Sequence, residues 1–236
     1  MKDRKLSQEA LKLIACACML IDHFAYVIVP KLPIPYGKEL YYLCRIIGRM
    51  AFPIYCFLLV EGMRYTRNPY KYILRLALCF VITELPYDYY FEGMIDWTYQ
   101  NVMSTLTLGA IMVLCMQKLD NKWLKVLIII PFALLADLCR GDYGGEGILL
   151  IAVFALIEQP LQQLLGVFVL NVLAGNLTIN ILNQSLTLQS FAVLAMIPIS
   201  RYSGQKSTRS KVIQWGFYLF YPGHLLLLWA ISALIR

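Results

Sequence analysis

Nine apolar stretches follow one another along this chain, separated by short polar or charged loops. No other feature restricts its fold so strongly. Backbone N–H and C=O groups in hydrocarbon must be satisfied within their own segment or by a closed sheet. Runs of this length and composition therefore predict membrane-crossing helices. Of the 236 residues, 60% are hydrophobic and 15% charged, a balance that excludes an ordinary soluble domain. At about 20 residues per crossing the helices use up most of the chain. The expectation is a single all-α domain, 1–236, built as a polytopic membrane bundle.

The stretches are Leu11–Val29, Tyr42–Met63, Tyr72–Phe91, Val102–Met116, Trp123–Leu138, Gly147–Ile157, Leu161–Ile181, Leu186–Ile199 and Trp215–Ile235. Pro53 predicts a kink in the second. The first is not expected to be a cleaved leader, because Asp22 and His23 interrupt it and no small-residue cleavage site follows. The seven cysteines lie mostly in apolar stretches and form no CxxC pair, so they read as packing residues. Trp97, Tyr99 and the aromatic run 87–90 suggest an interfacial belt.

The net charge of +7 could suggest nucleic acid, but its distribution points to topology instead. Basic residues gather in alternate loops: Lys2, Arg4, Lys5 and Lys12; Arg64, Arg67 and Lys71; Lys118, Lys122 and Lys125; Arg201, Lys206, Arg209 and Lys211. The other loops hold only Lys31, Lys38, Arg140 and Arg236. The positive-inside rule then places the N-terminus in the cytoplasm and the C-terminus outside.

Within the apolar stretches stand residues that hydrocarbon does not tolerate alone. Inserting one Arg costs about 2.5–3.5 kcal/mol, so such residues are paired, wetted or functional. Arg45 and Arg49 are four apart and share one helix face. Parallel guanidinium groups there suit a phosphate, a carboxylate or a developing oxyanion. At 1.5 Å rise per residue, His23, Arg49, Glu84, Asp88 and His224 fall between the mid-plane and the outer side. Asn101 and Thr105 open the fourth stretch from that side, and Asp142, Tyr143 and Glu146 open the sixth. Together they predict a polar cavity facing outward.

His23 and His224 are the only histidines, and histidine is suited to exchanging protons near neutral pH. Asp22 adjoins His23 but points about 100° away on a helix. Glu84 or Asp88 could orient either ring. A proton acceptor beside an electrophilic clamp supplies what acyl transfer to an amine or hydroxyl needs. Plainer readings stand beside these. Arg45 and Arg49 could form a packing ion pair with Glu84 and Asp88. His23 could make an interhelical hydrogen bond, and His224 could satisfy carbonyls freed by Pro222. Glu61, Arg64 and Arg75 could be a local salt-bridge set. The Asp142–Glu146 segment could be an ordinary turn.

The order of motifs resembles the TraX family of bacterial membrane proteins. The matching residues are Leu11-Lys12 with Met19 to His23, and Arg45-Ile46-Ile47-Gly48-Arg49-Met50-Ala51-Phe52-Pro53. Glu61-Gly62 with Thr66-Arg67-Asn68, Tyr72 to Leu76, and Glu84-Leu85-Pro86-Tyr87-Asp88 follow. Asn101 to Met103 with Thr105-Leu106 and Leu108-Gly109, Asp142-Tyr143-Gly144 with Gly147, and Tyr221-Pro222-Gly223-His224-Leu225 complete the set. Each is weak alone, but eight in order, across nearly the whole chain, are specific.

That family is named for a conjugation protein linked to N-terminal acetylation of F pilin. The resemblance implies a multi-pass protein of the bacterial cytoplasmic membrane that moves an acyl group to an acceptor outside. Acetyl-CoA or another acyl-CoA would be the donor, held near Arg64, Arg67 and Arg75. His23, His224, Arg45, Arg49, Glu84 and Asp88 would form the catalytic set. Asp22, Asn101, Thr105, Asp142, Tyr143 and Glu146 would meet the acceptor, which could be a pilin N-terminus, a peptide, a glycan or a lipid head group. Membrane lipids are the other expected partners; no metal and no nucleic acid are expected. The rival reading is a transporter or flippase for an anionic lipid or peptide, using the same arginines without chemistry. Missing inverted repeats count against it.

Overall fold

A computed structural model describes residues 6–173, 178–181, 184–204 and 210–235. Lys2, Arg4, Lys5, Lys206, Arg209 and Arg236, which enter the orientation argument, lie outside the described residues. The α-helices are α1 (Gln8–Val27), α2 (Gly37–Gly48), α3 (Ala51–Tyr65), α4 (Pro69–Phe91), α5 (Val102–Gln117), α6 (Lys122–Leu127), α7 (Ile129–Leu138), α8 (Gly144–Leu156), α9 (Pro160–Leu173), α10 (Met196–Ser200) and α11 (Lys211–Leu234). Short 3-10 segments cover Val29–Lys31 and Leu188–Ala195. Among the described residues, three stretches are long and apolar enough to cross a membrane: Gln8–Lys31, Gly37–Tyr65 and Val212–Leu234.

Capping residues account for several of the starts. Ser7 accepts from the N–H of Ala10 at 3.2 Å. Asn68 accepts from Lys71 at 2.9 Å, with Pro69 in the first turn where its missing N–H costs nothing. Asn101 and Asn121 cap α5 and α6 in the same way, at 3.0 Å and 2.8 Å.

The structure amends the expected stretches in four places. Tyr42–Met63 is divided between α2 and α3, with the break at Arg49 and Met50. Pro53 is the cause: its ring collides with the carbonyl four residues earlier, that of Arg49, so the helix restarts at Ala51. Trp123–Leu138 is likewise divided at Ile128. In Leu161–Ile181, where residues 174–177 lie outside the described residues, the helix α9 is described to Leu173. Beyond it, β1 (Thr178–Ile181) pairs antiparallel with β2 (Gln184–Thr187), Thr178 facing Thr187 and Ile181 facing Gln184. Thr178, Ile179, Asn180 and Ile181 are poor helix formers, and three of the four are β-branched. Leu186–Ile199 becomes the end of β2, a 3-10 segment and α10. Among the described residues, regular structure is helical apart from this two-stranded pairing.

Packing divides the chain into two compact units. The first comprises 1–55 and 167–236. In it α1 packs against α2 and α11 over a core that includes Leu11, Ala15, Ala25 and Leu225. Leu6 bridges in parallel to Tyr202: its N–H donates to the Arg201 carbonyl at 2.7 Å, and its carbonyl accepts from Ser203 at 2.9 Å.

The second unit comprises 56–166. Here α4 packs on α5, α5 on α7 and α8, and α7 on α8. Met112, Ile148, Ile151 and Phe154 are among its largest fully buried side chains. Tyr87 and Tyr90 belong to this core and not to a surface belt, whereas Tyr89, Trp97 and Tyr99 are exposed.

Candidate functional site

The first unit carries a buried polar cluster centred on Asp22 of α1. Arg45, in the last turn of α2, donates to one carboxylate oxygen at 2.6 Å. Arg49, just past the end of that helix, reaches both oxygens, at 2.9 Å and 2.8 Å. The spacing of four does place both guanidinium groups on one face, and one carboxylate serves both. Gly48 makes the approach possible, because a Cβ there would stand 2.1 Å from Asp22 Oδ1. Two cations on one anion leave the cluster with a surplus positive charge.

Amide side chains extend the cluster. Arg49 also donates to Gln189 Oε1 at 3.3 Å. Gln189 Nε2 donates to Asn171 Oδ1 at 2.8 Å, and Asn171 donates to the Val167 carbonyl at 2.7 Å. Arg45 lies over the rings of Tyr26 and Tyr41, 5.3 Å and 6.0 Å from their centroids. Its Nε is buried with no hydrogen-bond partner among the described residues.

His23 follows Asp22 in sequence but turns elsewhere, as the helical offset requires. Its Nδ1 stands 2.7 Å from Nε2 of His224 on α11. The ring planes differ by 4° and the centroids are 4.9 Å apart. With the nitrogens that close, the rings meet edge to edge in one plane and are not stacked face to face. His224 Nδ1 lies 2.7 Å from the Phe220 carbonyl. His224 is buried and His23 half-buried. Arg45 and Arg49 are within electrostatic reach of His23.

The second unit places Glu84, Asp88, Asn101, Thr105, Asp142, Tyr143 and Glu146 toward the end formed by the C-terminus of α4 and the starts of α5 and α8. Glu84 accepts from Asn101 twice through one oxygen, from the backbone at 3.3 Å and from the side-chain amide in a shorter contact. Its other oxygen is buried without a hydrogen-bond partner among the described residues, as is the Thr105 hydroxyl. Asp88 accepts from the N–H of Asp96 at 3.2 Å. In the connecting loop, the Asp96 carboxylate accepts from the N–H of Thr98 at 2.8 Å, and hydrogen bonds from the Thr98 side chain and backbone hold its carboxyl below the usual range. Tyr87, Tyr99, Asp137, Arg140, Gly141 and Asp142 line an open hollow of about 590 Å³. Gly141 is seated so that a Cβ would meet the Ser104 and Thr105 hydroxyls, each at 2.7 Å.

Arg64, Arg67 and Arg75 sit where α3 gives way to α4. Arg64 pairs with Glu61 at 3.3 Å, and Arg67 is exposed. Arg75 lies over the Tyr72 ring at 5.9 Å, with its Nε buried and without a hydrogen-bond partner among the described residues. Lys118, at the end of α5, donates to the Tyr70 hydroxyl at 3.1 Å, which raises its pKa. No group of three or more His, Cys, Asp or Glu among the described residues is placed to hold a metal ion.

The structure therefore brings together Asp22, His23, Arg45, Arg49 and His224 in the first unit. It gathers the remaining carboxylates with Asn101 and Thr105 in the second. The carboxylate on the two arginines is Asp22, which the sequence reading had set aside for the acceptor. Gln189 and Asn171 were missed. Their signal was available: each is a lone amide side chain within an apolar segment, and such groups are hydrogen-bonded when buried.

A family model described as TraX protein matches residues 7–232. A relative from Dichelobacter nodosus, named as probable fimbrial assembly protein FimC, serogroup H1, is 29% identical, with 92% of each chain covered. No solved structure is significantly similar.

Proposed function

This chain belongs to the TraX family, and on that premise we propose that it is an integral membrane acyltransferase. It would move an acyl group, acetyl in the first instance, from acyl-CoA to an amine or hydroxyl acceptor at the outer face of the bacterial cytoplasmic membrane. The observation that carries this reading is a histidine pair joined at 2.7 Å next in sequence to an aspartate that positions two guanidinium groups.

In the reaction, the acceptor N or O attacks the thioester carbonyl while a histidine takes its proton. The oxygen gains negative charge as the new bond forms. Arg45 and Arg49, with their surplus positive charge, stabilise that oxygen. The carbon–sulfur bond then breaks and the CoA thiolate takes the proton from the imidazolium. Acyl-S-CoA and the acceptor become the acylated acceptor and CoA-SH, with the protein unchanged. Arg64, Arg67 and Arg75 are the proposed contacts for the donor's phosphates. In the second unit taken by itself, Glu84, Asp88, Asn101, Thr105, Asp142, Tyr143 and Glu146 are proposed as a binding surface for a polar group.

The loop charges support an N-terminus in the cytoplasm and several crossings beyond the three longest apolar stretches. The name of the relative, a probable fimbrial assembly protein, supports a fimbrial or pilus subunit as one acceptor.

Vesicles holding the purified protein and given labelled acetyl-CoA test the proposal. Turnover to CoA, lost in His23→Ala protein that still inserts and folds, is the expected result. Label entering the vesicles with its acyl group intact would replace the proposal with transport. Mass spectrometry of membrane proteins and glycans, with and without the gene, would identify the acceptor.

A further inference from the structure

The two imidazoles hold one another in a fixed protonation pattern, and the pattern has a direction. It begins at the Phe220 carbonyl, 2.7 Å from His224 Nδ1. A carbonyl oxygen only accepts, so His224 Nδ1 carries a hydrogen. A neutral imidazole has one N–H, which leaves His224 Nε2 with a lone pair. That lone pair lies 2.7 Å from His23 Nδ1 and in the plane of both rings, the geometry of a linear N–H···N bond. His23 Nδ1 is therefore the donor, and the remaining lone pair of the neutral pair is on His23 Nε2.

We infer that His23 Nε2 is the basic atom of this site, and that His224 is a positioning residue whose ring, locked by the Phe220 carbonyl, selects that tautomer. The orienting role that carboxylates or carbonyls play toward many histidines is taken here by a second imidazole. This assignment rests on the acyltransferase reading for its chemical consequence, but not for the tautomers themselves. When His23 Nε2 takes the acceptor's proton, His23 becomes an imidazolium. Its Nδ1 proton can then pass along the 2.7 Å bond to His224 Nε2, leaving the charge on His224, whose Nδ1–H stays on the carbonyl. The sequence reverses when the thiolate is protonated. No atom is gained or lost by the pair. His224 cannot be the base in this arrangement, because one of its nitrogens is protonated and the other faces His23.

The chain has only two histidines, so the test can be made on the unaltered protein. Protein purified without a histidine tag, labelled with 15N in its imidazoles and held in nanodiscs, gives four ring-nitrogen signals. In the neutral state both rings are expected as Nδ1–H tautomers, the less common form of free histidine. An Nε2–H on either neutral ring would overturn the assignment.

Turnover supplies the second arm. Loss of the base in His23→Gln is expected to reduce transfer about 10²- to 10⁴-fold. His224→Leu, which cannot accept from Nδ1–H, should lose about 10- to 100-fold, the usual range for a residue that orients another. His224→Gln, whose amide oxygen can accept, should recover most of that loss. His224→Gln failing as badly as His23→Gln, in protein that folds, would make His224 a reacting group and end the positioning role. If the wild type transfers no acyl group at all, the acyltransferase reading fails, and the nitrogen spectrum still decides the tautomers.

Discussion

Asp22 and Glu84 are both buried carboxylates on helices, yet their surroundings treat them in opposite ways. Asp22 has a guanidinium on each oxygen and a second on one of them. Among the described residues, the donors to Glu84 are neutral and all on one oxygen. Around Asp22 the cations outnumber the anion. Asp88, one turn along α4, is within electrostatic reach of Glu84. A carboxylate flanked by neutral donors can give up its charge without leaving a partner stranded. One holding two guanidinium groups cannot. Asp22 is therefore the anion on which the two arginines converge, whereas the donors on Glu84 carry no charge.

The largest expected effect follows directly. Asp22→Asn removes the carboxylate charge that Arg45 and Arg49 both hold, and breaking a mostly buried ion pair from one side costs about 3–5 kcal/mol. Unfolding of the purified protein in detergent or nanodiscs would measure it. A cost below 1 kcal/mol would mean that solvent or another anion already neutralises the arginines.

A glycine next to each region gives a contrast of intermediate size. At Gly48 an added Cβ would stand 2.1 Å from Asp22 Oδ1 and 2.3 Å from its Cβ, close to the rigid root of the side chain. At Gly109 it would meet Ile151 Cδ1 at 2.2 Å, the far end of a flexible chain. Gly48→Ala is expected to cost about 2–3 kcal/mol and to displace the arginines; Gly109→Ala should cost about 1 kcal/mol, within the span for overpacking. Equal costs at the two positions would show that Asp22 gives way as easily as an isoleucine methyl.

How far the sequence foretold these arrangements depends on the range of the interaction. Helix ends set by local chemistry were readable: α5 was expected as Val102–Met116 and spans Val102–Gln117, with Asn101 as its cap. The break before Pro53 follows from a clash four residues away. The face shared by Arg45 and Arg49, and the divergence of Asp22 from His23, follow from 3.6 residues per turn. Which carboxylate meets the arginines was not readable, because Asp22, Glu84 and Asp88 have the same chemistry and only tertiary packing chooses among them. Gly48 held a clue, since a glycine between two arginines on an apolar helix marks a close approach. The hairpin was hidden by hydropathy, which scores Ile179 and Ile181 alike for helix and strand.

Gln189 separates the arginine cluster's core from its support. Gln189→Leu removes the acceptor for Arg49 Nη1 and the donor to Asn171 Oδ1. The expected cost is about 1–2 kcal/mol, set by the groups left without partners. Transfer should fall less than in His23→Gln, with kcat changed more than KM, because Arg49 is proposed to stabilise the developing oxyanion. An unchanged unfolding curve would remove the amide chain from the account of how Arg49 is held.

The smallest effect is expected at Glu84, and it bears most directly on the contrast between the two carboxylates. Glu84→Gln keeps an oxygen that can accept from both Asn101 N–H groups and removes a negative charge from an end of the unit already crowded with them. No cation loses its partner. The net change should lie within about 1 kcal/mol of zero, since exchanging one neutral-donor hydrogen bond for another is nearly balanced. Parallel unfolding of Glu84→Gln and Asp22→Asn, under one set of conditions, gives the difference without an absolute scale. If Glu84→Gln proves as damaging as Asp22→Asn, a cation must stand on Glu84 in the working protein, and its buried unpartnered oxygen is where to look for it.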